Sequence, residues 1–376
     1  MCESDKCIEC IKEEQSVNPF QTVEFQKKQD LEKALNIIIE AKIEGWECVK
    51  SLDDVDMMRV ESALTNKIYR CQKKVNPNHQ SPLLLRIYGG GTEIMFDRKD
   101  EVALFKELSD QKFGVTFIKS VPNGRIEEWK DGYEPISTES LYSLESRQKI
   151  AEQLSEMHKV VVPGAKREDV YIRCHNWLNG IKQYCKGERY NSLLISNIEK
   201  ELDSIINIIQ EDEEKNKQQN IHYDYVCGHT DLHRGNILQN KEGKIQIIDF
   251  EYSIYTTAPL DISFVFFDWM LDYSKPDHHN LLEDSFPSFE EQRDFLAHYL
   301  YCYYGKEPSE EYIQQYMILI QKYLCLCVYM WMLWGYLESA ISEIDYDFFN
   351  YANDRADFYR EQKLKAFQLS SLQLHL

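Results

Sequence analysis

The segment GHTDLHRGNIL, residues 228–238, decides how this sequence is interpreted, together with IDFEY at 248–252. The first segment places a carboxylate at Asp231 and an amide at Asn236, and the second places another carboxylate at Asp249. The intervening chain fits a strand (NILQ), a turn at KEG and a returning strand (KIQIID). Such a hairpin would bring Asp249 back beside the loop that carries the other two side chains.

The spacing of these side chains resembles the catalytic loop of protein kinases, H-R-D-x-x-x-x-N, and IDF stands in place of DFG. Phosphoryl transfer needs a carboxylate to accept the hydroxyl proton, oxygen ligands for Mg²⁺ and a cation on the ATP phosphates. Asp231 fits the first role, and Asn236 and Asp249 supply the oxygen ligands that Mg²⁺ prefers. The pattern predicts an enzyme that uses ATP and Mg²⁺.

The composition and net charge limit the kinds of molecule that this protein is expected to bind. The chain has 376 residues, of which 43% are hydrophobic, so a bilobal unit or two domains can be built. Its net charge of −20 argues against non-specific binding to nucleic acid or anionic membranes, and favours a small cationic substrate. The longest uncharged stretch, Tyr323–Leu337, is shorter than the roughly 20 residues that span a bilayer. We therefore expect a buried helix there and no membrane span.

The eleven cysteines are scattered along the chain, and the N-terminal segment MCESDKCIECIKEEQ lacks the apolar core of a signal peptide. We therefore expect a cytoplasmic protein with reduced thiols. Cys2, Cys7 and Cys10 lie close together, but a zinc site needs about four ligands. A loose reduced tail is the preferred interpretation of this segment.

Hydrophobic periodicity predicts an α+β fold with two lobes, like that of protein kinases. Strands are predicted at 67–74, 83–88, 115–121 and 125–129, with one helix at 100–108, and most of the chain after them is helical. The predicted units are a disordered tail (1–25), an N-terminal ATP-binding lobe (26–131) and a C-terminal catalytic and substrate-binding lobe (132–376).

The cation for the ATP phosphates is predicted at Arg86, in the apolar strand LLLRIY, where a charge without a partner is costly. Glu101 on the following helix is the expected partner, like the strand-lysine and helix-glutamate pair of protein kinases. The alternative is that Arg86 lies on an edge strand and faces water. ESALTNKIY, at 61–69, lies where a phosphate loop would sit, although it has no glycine.

The acceptor is predicted to be small. Only eleven residues separate Asp249 from Asp261, and a helix is predicted to start there. A protein kinase needs a long activation segment at this point to form its peptide-binding surface, so a peptide substrate is improbable.

Six motifs together resemble the choline/ethanolamine kinases: RIYGGGTE, NGRIEEW, HTDLHRGNIL, IDFEYSIY, LDISFVFFDWMLDY and WMLWGYLESAISEIDYDFFNYA. The resemblance covers roughly residues 30–365 and implies the bilobal kinase-like fold shared with aminoglycoside phosphotransferases. It implies ATP-dependent phosphorylation of choline to phosphocholine, the first step of phosphatidylcholine synthesis by the CDP-choline route. It also implies a homodimer.

The resemblance assigns roles to particular residues. Asp231 would be the catalytic base, Asn236 and Asp249 would hold Mg²⁺, and Asp261 would brace the catalytic loop. The nucleotide side would comprise Arg86, Glu101, the phosphate-loop residues Ser62, Ala63, Leu64, Thr65 and Asn66, and the adenine-hinge residues Glu128 and Lys130. The amine side would comprise His233, Glu251, Tyr252, Asp268, Tyr273, Trp331, Trp334, Tyr346 and Tyr351.

The chemistry of a quaternary amine supports the aromatic part of that assignment. A trimethylammonium group has a charge but no N–H donor, so aromatic faces and a nearby carboxylate suit it, and a desolvated cation–π contact is worth about 2 kcal/mol. Trp331 and Trp334 are three residues apart and share one helical face. Such a stripe is usually core, but the kinase motif favours the binding interpretation.

The sequence also departs from the family pattern. HTD stands where HND is usual, and His233, Ser62 and Asp268 replace the more common glutamine, glycine and glutamate.

The motifs IDFEYS and DWMLDY favour choline over ethanolamine as the substrate. An ethanolamine or dual-specificity kinase is the nearest alternative. A non-catalytic kinase-like binding protein and an aminoglycoside kinase are further ones, and the tryptophan pair disfavours the latter.

Overall fold

The computed structural model describes residues 19–60, 66–75, 81–89, 95, 97–162, 170–218, 225–271, 281–282, 285–342 and 344–372. Its helices are α1 Pro19–Glu40, α2 Arg98–Asp110, α3 Thr138–Leu141, α4 Leu144–His158, α5 Val170–Tyr184, α6 Ile195–Gln218, α7 Ala258–Asp268, α8 Phe289–Tyr304, α9 Glu310–Ile341 and α10 Phe348–Leu372. Its strands are β1 Val55–Val60, β2 Asn66–Lys73, β3 Leu83–Tyr88, β4 Phe117–Val121, β5 Gly124–Glu128, β6 Tyr133–Pro135, β7 Tyr225–Gly228, β8 Ile237–Asn240, β9 Ile245–Ile247 and β10 Ile254–Thr257.

The N-terminal lobe is a five-stranded antiparallel sheet in the order β1-β2-β3-β5-β4, with α2 inserted between β3 and β4. Strand β3 is central, so the edge-strand alternative for Arg86 is wrong. Strand β1 was not predicted, because its sequence VDMMRV carries two charges and lacks a clear alternation of apolar residues. A cluster of buried residues, including Leu35, Tyr69 and Leu85, joins α1 to this sheet.

The predicted boundary of the N-terminal tail is wrong. Helix α1 begins at Pro19, so residues 19–25 are helical, while residues 1–18 lie outside the described part of the chain. Proline suits the first turn of a helix because the amide hydrogen that it lacks would have no intrahelical partner there. Cys2, Cys7 and Cys10 lie outside the described residues, and the eight cysteines that are described are free thiols.

The C-terminal lobe is mainly helical and contains two small sheets, β6-β8-β9 and β10-β7. The predicted hairpin is confirmed: β8 and β9 pair antiparallel, and Gly243 in their turn has φ 73°, which suits glycine. The central helix is α9. It is long and apolar enough to cross a membrane, but 83% of its apolar window is buried inside the protein, as in a core helix.

Candidate active site

The catalytic loop, residues 229–236, follows β7 and is held in place by Asp261 in the first turn of α7. Asp261 Oδ2 accepts a hydrogen bond from the backbone N–H of His229 (2.9 Å), and Oδ1 accepts one from the N–H of Thr230 (2.6 Å). His158 Nε2 lies 2.7 Å from Asp261 Oδ2. All four side chains are buried, so this carboxylate fixes the loop backbone, as the family resemblance implied.

Thr230, the departure from HND, occupies a strained backbone conformation. Its φ of 56° lies in the left-handed region, which is unfavourable for a β-branched residue. Besides the hydrogen bond from its N–H to Asp261, its hydroxyl donates to the carbonyl of Tyr252 at 2.6 Å. These two contacts hold the threonine in a conformation that asparagine adopts more readily.

Replacing Asp261 by asparagine should lower the free energy of unfolding by about 1–3 kcal/mol, since it leaves buried donors without a charged acceptor. Burial alone would raise the pKa of Asp261, but the hydrogen bonds from His158 and His229 bring it below its ordinary value of 3.8. The unfolded chain therefore binds the proton more readily, and the wild type loses this stabilisation as the pH falls below 3.8.

Urea unfolding of the wild type and of Asp261→Asn between pH 3 and pH 7 checks this expectation. The difference between the two proteins should be constant near neutral pH and shrink below about pH 4. Asp294→Asn, which removes a half-exposed surface carboxylate, is the control. A difference that is independent of pH would contradict the assignment of the charge.

Asp231 lies at the centre of an acidic pocket. Asn236 Nδ2 donates to the carbonyl of Asp231 (2.9 Å) and lies 3.4 Å from its Oδ2. Burial raises the pKa of Asp231 well above its ordinary value of 3.8, and the charges of Asp249, Glu251 and Asp268 raise it further. A cation bound here would reverse that shift, because opposite charge favours the ionised carboxylate. The pocket is therefore suited to positively charged ligands.

Asp249 follows β9 in a left-handed conformation (φ 66°), and its carboxylate faces the N-terminal lobe. Arg86 Nη1 donates to Asp249 Oδ2 at 3.0 Å, and Arg86 Nη2 lies 3.6 Å from Glu127 Oε1. Burial alone would raise the pKa of Asp249, but Arg86 and then Arg125 lower it below its ordinary value. Arg86 thus connects the lobes across the cleft.

The predicted pairing of Arg86 with Glu101 is wrong. Glu101 forms its ion pair with Arg125, which is fully buried on β5 and also donates through Nε to Glu127 Oε2 at 2.8 Å. Arg86 and Arg125 stand directly opposite each other in the β3–β5 register. Acidic and basic side chains therefore alternate along one chain of ion pairs. The order is Glu101 on α2, then Arg125, Glu127 and Arg86 on the sheet, and finally Asp249. The sequence signal was the i, i+2 spacing in RIEE, which places Arg125 and Glu127 on one face of a strand.

The arrangement fits Mg²⁺ and a phosphate. Asp249 Oδ1 and Arg86 Nε are buried polar atoms with no hydrogen-bond partner among the described residues. A carboxylate oxygen and a guanidinium N–H are what a magnesium–phosphate group would satisfy. Asp249 and Asn236 could hold the metal, with the remaining ligands coming from phosphate and water. In the described part of the chain, no cluster of three or more His, Cys, Asp or Glu side chains forms a metal site without such help.

Asn66, Arg98 and Glu251 form a second connection between the lobes. Asn66 Nδ2 donates to Glu251 Oε2 at 3.0 Å, and Arg98 Nη1 lies 3.6 Å from the same oxygen and 3.2 Å from Glu101 Oε2. Ser62, Ala63, Leu64 and Thr65 lie outside the described residues. Arg98 was not predicted from the sequence. A cation in the first turn of a helix opposes the helix dipole, and this unfavourable position was a signal that Arg98 has a charged partner elsewhere.

The two predicted hinge residues lie at the end of β5 and just beyond it. Glu128 Oε2 accepts from the hydroxyl of Thr116 at 2.7 Å, and Lys130 Nζ lies 3.2 Å from Glu128 Oε1. The two side chains therefore contact each other and the residue before β4. An adenine bound at this point would contact backbone atoms of the hinge.

The predicted aromatic residues form a box on α9 and its neighbours. The ring centroids of Trp331 and Trp334 are 5.4 Å apart at 80°, and Trp331 meets Tyr252 edge-on at 5.6 Å. Trp334 Nε1 donates to the Tyr252 hydroxyl at 2.9 Å. The ring of Tyr351 lies 5.4 Å from that of Trp334. Burial raises the pKa of Tyr252 and Tyr351, and the charge of Asp231 contributes to both shifts, so the box lies within electrostatic reach of Asp231.

Gly335 allows α10 to approach this box. A Cβ at this position would lie 2.7 Å from Tyr351 Cδ1 and 3.0 Å from Ala352 Cβ. Tyr346 continues the aromatic cluster, with its ring 6.3 Å from that of Tyr351. Tyr273 lies outside the described residues.

Asp268 and His233 both lie near Asp231. Asp268 Oδ2 accepts from the backbone N–H of Arg234 at 3.0 Å, so it supports the loop as well as adding negative charge. His233 Nδ1 accepts from the N–H of Gly235 at 3.0 Å, and its Nε2 lies 3.9 Å from Asp231 Oδ2. Its imidazole is partly exposed.

The two-lobed architecture and the Asp231–Asn236–Asp249 constellation define a phosphotransferase with the protein-kinase-like fold. The choline/ethanolamine kinase family model matches residues 57–360. The chain therefore belongs to the choline/ethanolamine kinase family: it is a kinase that uses ATP, and its acceptor is a small amino alcohol.

Individual relatives agree with this assignment. The chain is 30% identical over 337 residues to the probable choline kinase 2 of Arabidopsis thaliana, covering 89% of this chain and 93% of that protein. It is 26% identical over 334 residues to the probable ethanolamine kinase of the same plant, covering 85% and 83%. The crystal structure of choline kinase from Cryptosporidium parvum superposes with a TM-score of 0.78 at 24% identity, covering 91% and 98%.

Proposed function

We propose that this kinase phosphorylates choline, giving phosphocholine. The observation that carries the proposal is the aromatic box of Tyr252, Trp331, Trp334 and Tyr351 beside the acidic pocket around Asp231. A trimethylammonium group can donate no hydrogen bond, so its recognition depends on ring faces and negative charge. The 30% identity to a probable choline kinase supports the same choice.

In the proposed reaction the hydroxyl oxygen of choline bonds to the γ-phosphorus of ATP, and the bond from that phosphorus to the bridging oxygen breaks, which releases ADP. Asp231 orients the hydroxyl and accepts its proton. Arg86 binds the phosphates, and Asp249 and Asn236 would hold Mg²⁺, which would neutralise the charge that develops on the phosphates. The product would enter phosphatidylcholine synthesis by the CDP-choline route. We place the enzyme in the cytoplasm as a homodimer.

Initial rates with choline and with ethanolamine, each with Mg·ATP and with Mn·ATP, test the substrate assignment. We expect a higher kcat/KM for choline. A clear preference for ethanolamine would overturn the choline proposal. An ethanolammonium ion has N–H donors, so the carboxylates around Asp231 would then be its main ligands.

Replacing Trp331 or Trp334 by alanine should raise the KM for choline more than the KM for ethanolamine. Loss of a desolvated cation–π contact of about 2 kcal/mol corresponds to a factor of about 30. Trp46→Ala, which removes a buried tryptophan from the hydrophobic cluster of the N-terminal lobe, is the matched control. If both amines are affected equally, the tryptophan pair serves only as core.

A further inference from the structure

Glu338 is a buried carboxylate on the same face of α9 as the two tryptophans. It lies four residues after Trp334 and seven after Trp331, and this spacing brings side chains to one side of a helix. Its exposed fraction is 7%. It was not among the residues singled out from the sequence.

Glu338 lies close to another negative charge, that of Glu251. Its carboxylate has a hydrogen bond with Ser342, and among the described residues no lysine, arginine or histidine forms an ion pair with it. Burial raises the pKa of Tyr252, and the charges of Glu251 and Glu338 raise it further, so the three groups lie within electrostatic reach of one another. Burial raises the pKa of Glu338 to about 7, and Glu251 contributes to this shift.

Such a carboxylate reduces the stability of the protein. Burying an ionisable group without a counter-charge costs free energy, and repulsion from Glu251 adds to this cost. A bound cation in the aromatic box would remove both penalties, because opposite charge stabilises the ionised form.

We propose that Glu338 is a further counter-ion for the ammonium group of the substrate and helps the site to select charged amines over neutral alcohols of the same shape. This inference rests on the proposed function, since it assumes that the amine occupies the aromatic box. Glu338 acts through charge on the bound amine. It has no part in proton transfer from the hydroxyl, which is assigned to Asp231.

Glu338→Gln tests the proposal because glutamine keeps the size and the hydrogen bond with Ser342 but removes the charge. We expect the KM for choline to rise about tenfold, which corresponds to about 1.4 kcal/mol, while kcat and the KM for ATP change by less than about twofold. The thermal unfolding midpoint should stay the same or rise. A carboxylate with a purely structural role would give a lower midpoint and an unchanged KM for choline, and that result would overturn the proposal.

A neutral analogue of choline separates charge from shape. In 3,3-dimethylbutan-1-ol a carbon atom replaces the nitrogen, so the group keeps its size and loses its charge. Its inhibition constant should be the same for the wild type and for Glu338→Gln. Equal weakening of choline and of the neutral alcohol would show altered packing and overturn the proposal. Glu311→Gln, an exposed change at the far end of the same helix, is the charge-matched control.

The measurements on the wild type distinguish failure of the proposed choline kinase activity from failure of the role proposed for Glu338. If the wild type prefers ethanolamine, the same comparison is made with ethanolamine and propan-1-ol, and a selective loss of ethanolamine affinity would still support the role of Glu338. If neither amine binds to the wild type, as judged by calorimetry, the proposed function fails and the assignment of Glu338 as an ammonium counter-ion fails with it.

Discussion

Asp231→Asn should lower kcat for amine phosphorylation by a factor of about 10²–10⁴, the range that a positioned general base contributes. Asparagine can occupy the same space and keep the contact with Asn236, but it does not accept a proton at neutral pH. Binding of Mg·ADP should be retained, because Arg86 and Asp249, which face the nucleotide, are unchanged. Steady-state rates and isothermal titration with Mg·ADP measure the two effects separately.

The stability of this variant distinguishes loss of catalysis from loss of fold. Burial and neighbouring carboxylates raise the pKa of Asp231, so its charged form is disfavoured in the folded protein. At neutral pH a neutral asparagine should therefore leave the unfolding midpoint unchanged or raise it, a trade-off typical of active sites. Turnover retained in Asp231→Asn would refute the assignment of the base. A wild type that binds ATP without any turnover would favour a kinase-like binding protein.

The second large effect is expected at Arg86. Arg86→Met removes the cation that lies 3.0 Å from Asp249 Oδ2 and 3.6 Å from Glu127 Oε1. Leaving buried carboxylates without their partner typically costs about 3–5 kcal/mol, so urea unfolding should show a loss of this order. The KM for ATP should also rise, since the variant lacks the donor that is assigned to the phosphates.

Arg86→Lys is the matched variant, since it keeps the charge but cannot reach both carboxylates with a planar fork. Its stability should lie between those of the wild type and Arg86→Met. The phosphate role is tested in whichever variant remains folded, by the rise in unfolding midpoint on addition of Mg·ADP. An undiminished rise would contradict that role and leave Arg86 as a structural residue only.

Local patterns in the sequence predicted the parts of the site that lie close together in the chain. Asp231, Asn236 and Asp249 are connected by one loop and one hairpin, so their proximity follows from turn geometry and the two-residue period of a strand. The same holds for Trp331 and Trp334, which are one helical turn apart. The role of Asp261 in holding the catalytic loop, in contrast, was implied only by the resemblance to the choline/ethanolamine kinases.

The partners of the charged side chains depend on contacts between distant segments. Glu101 was expected to pair with Arg86, but the register of β5 beside β3 places Arg125 between them. Arg98 reaches Glu251 only because α2 packs over the cleft between the lobes. A single sequence without aligned relatives carries no information on such a register.

The order of residues along the chain was enough to indicate a kinase-like phosphotransferase with a small acceptor, because the catalytic groups lie on a few consecutive elements with regular geometry. Tertiary structure decided which carboxylate neutralises which arginine, and it buried Glu338 near Tyr252 of the aromatic box with no ion-pair partner among the described residues. The physical reason is that electrostatic free energies depend on distance and burial. Both quantities are set by how the lobes and helices pack, and neither can be obtained from residue spacing.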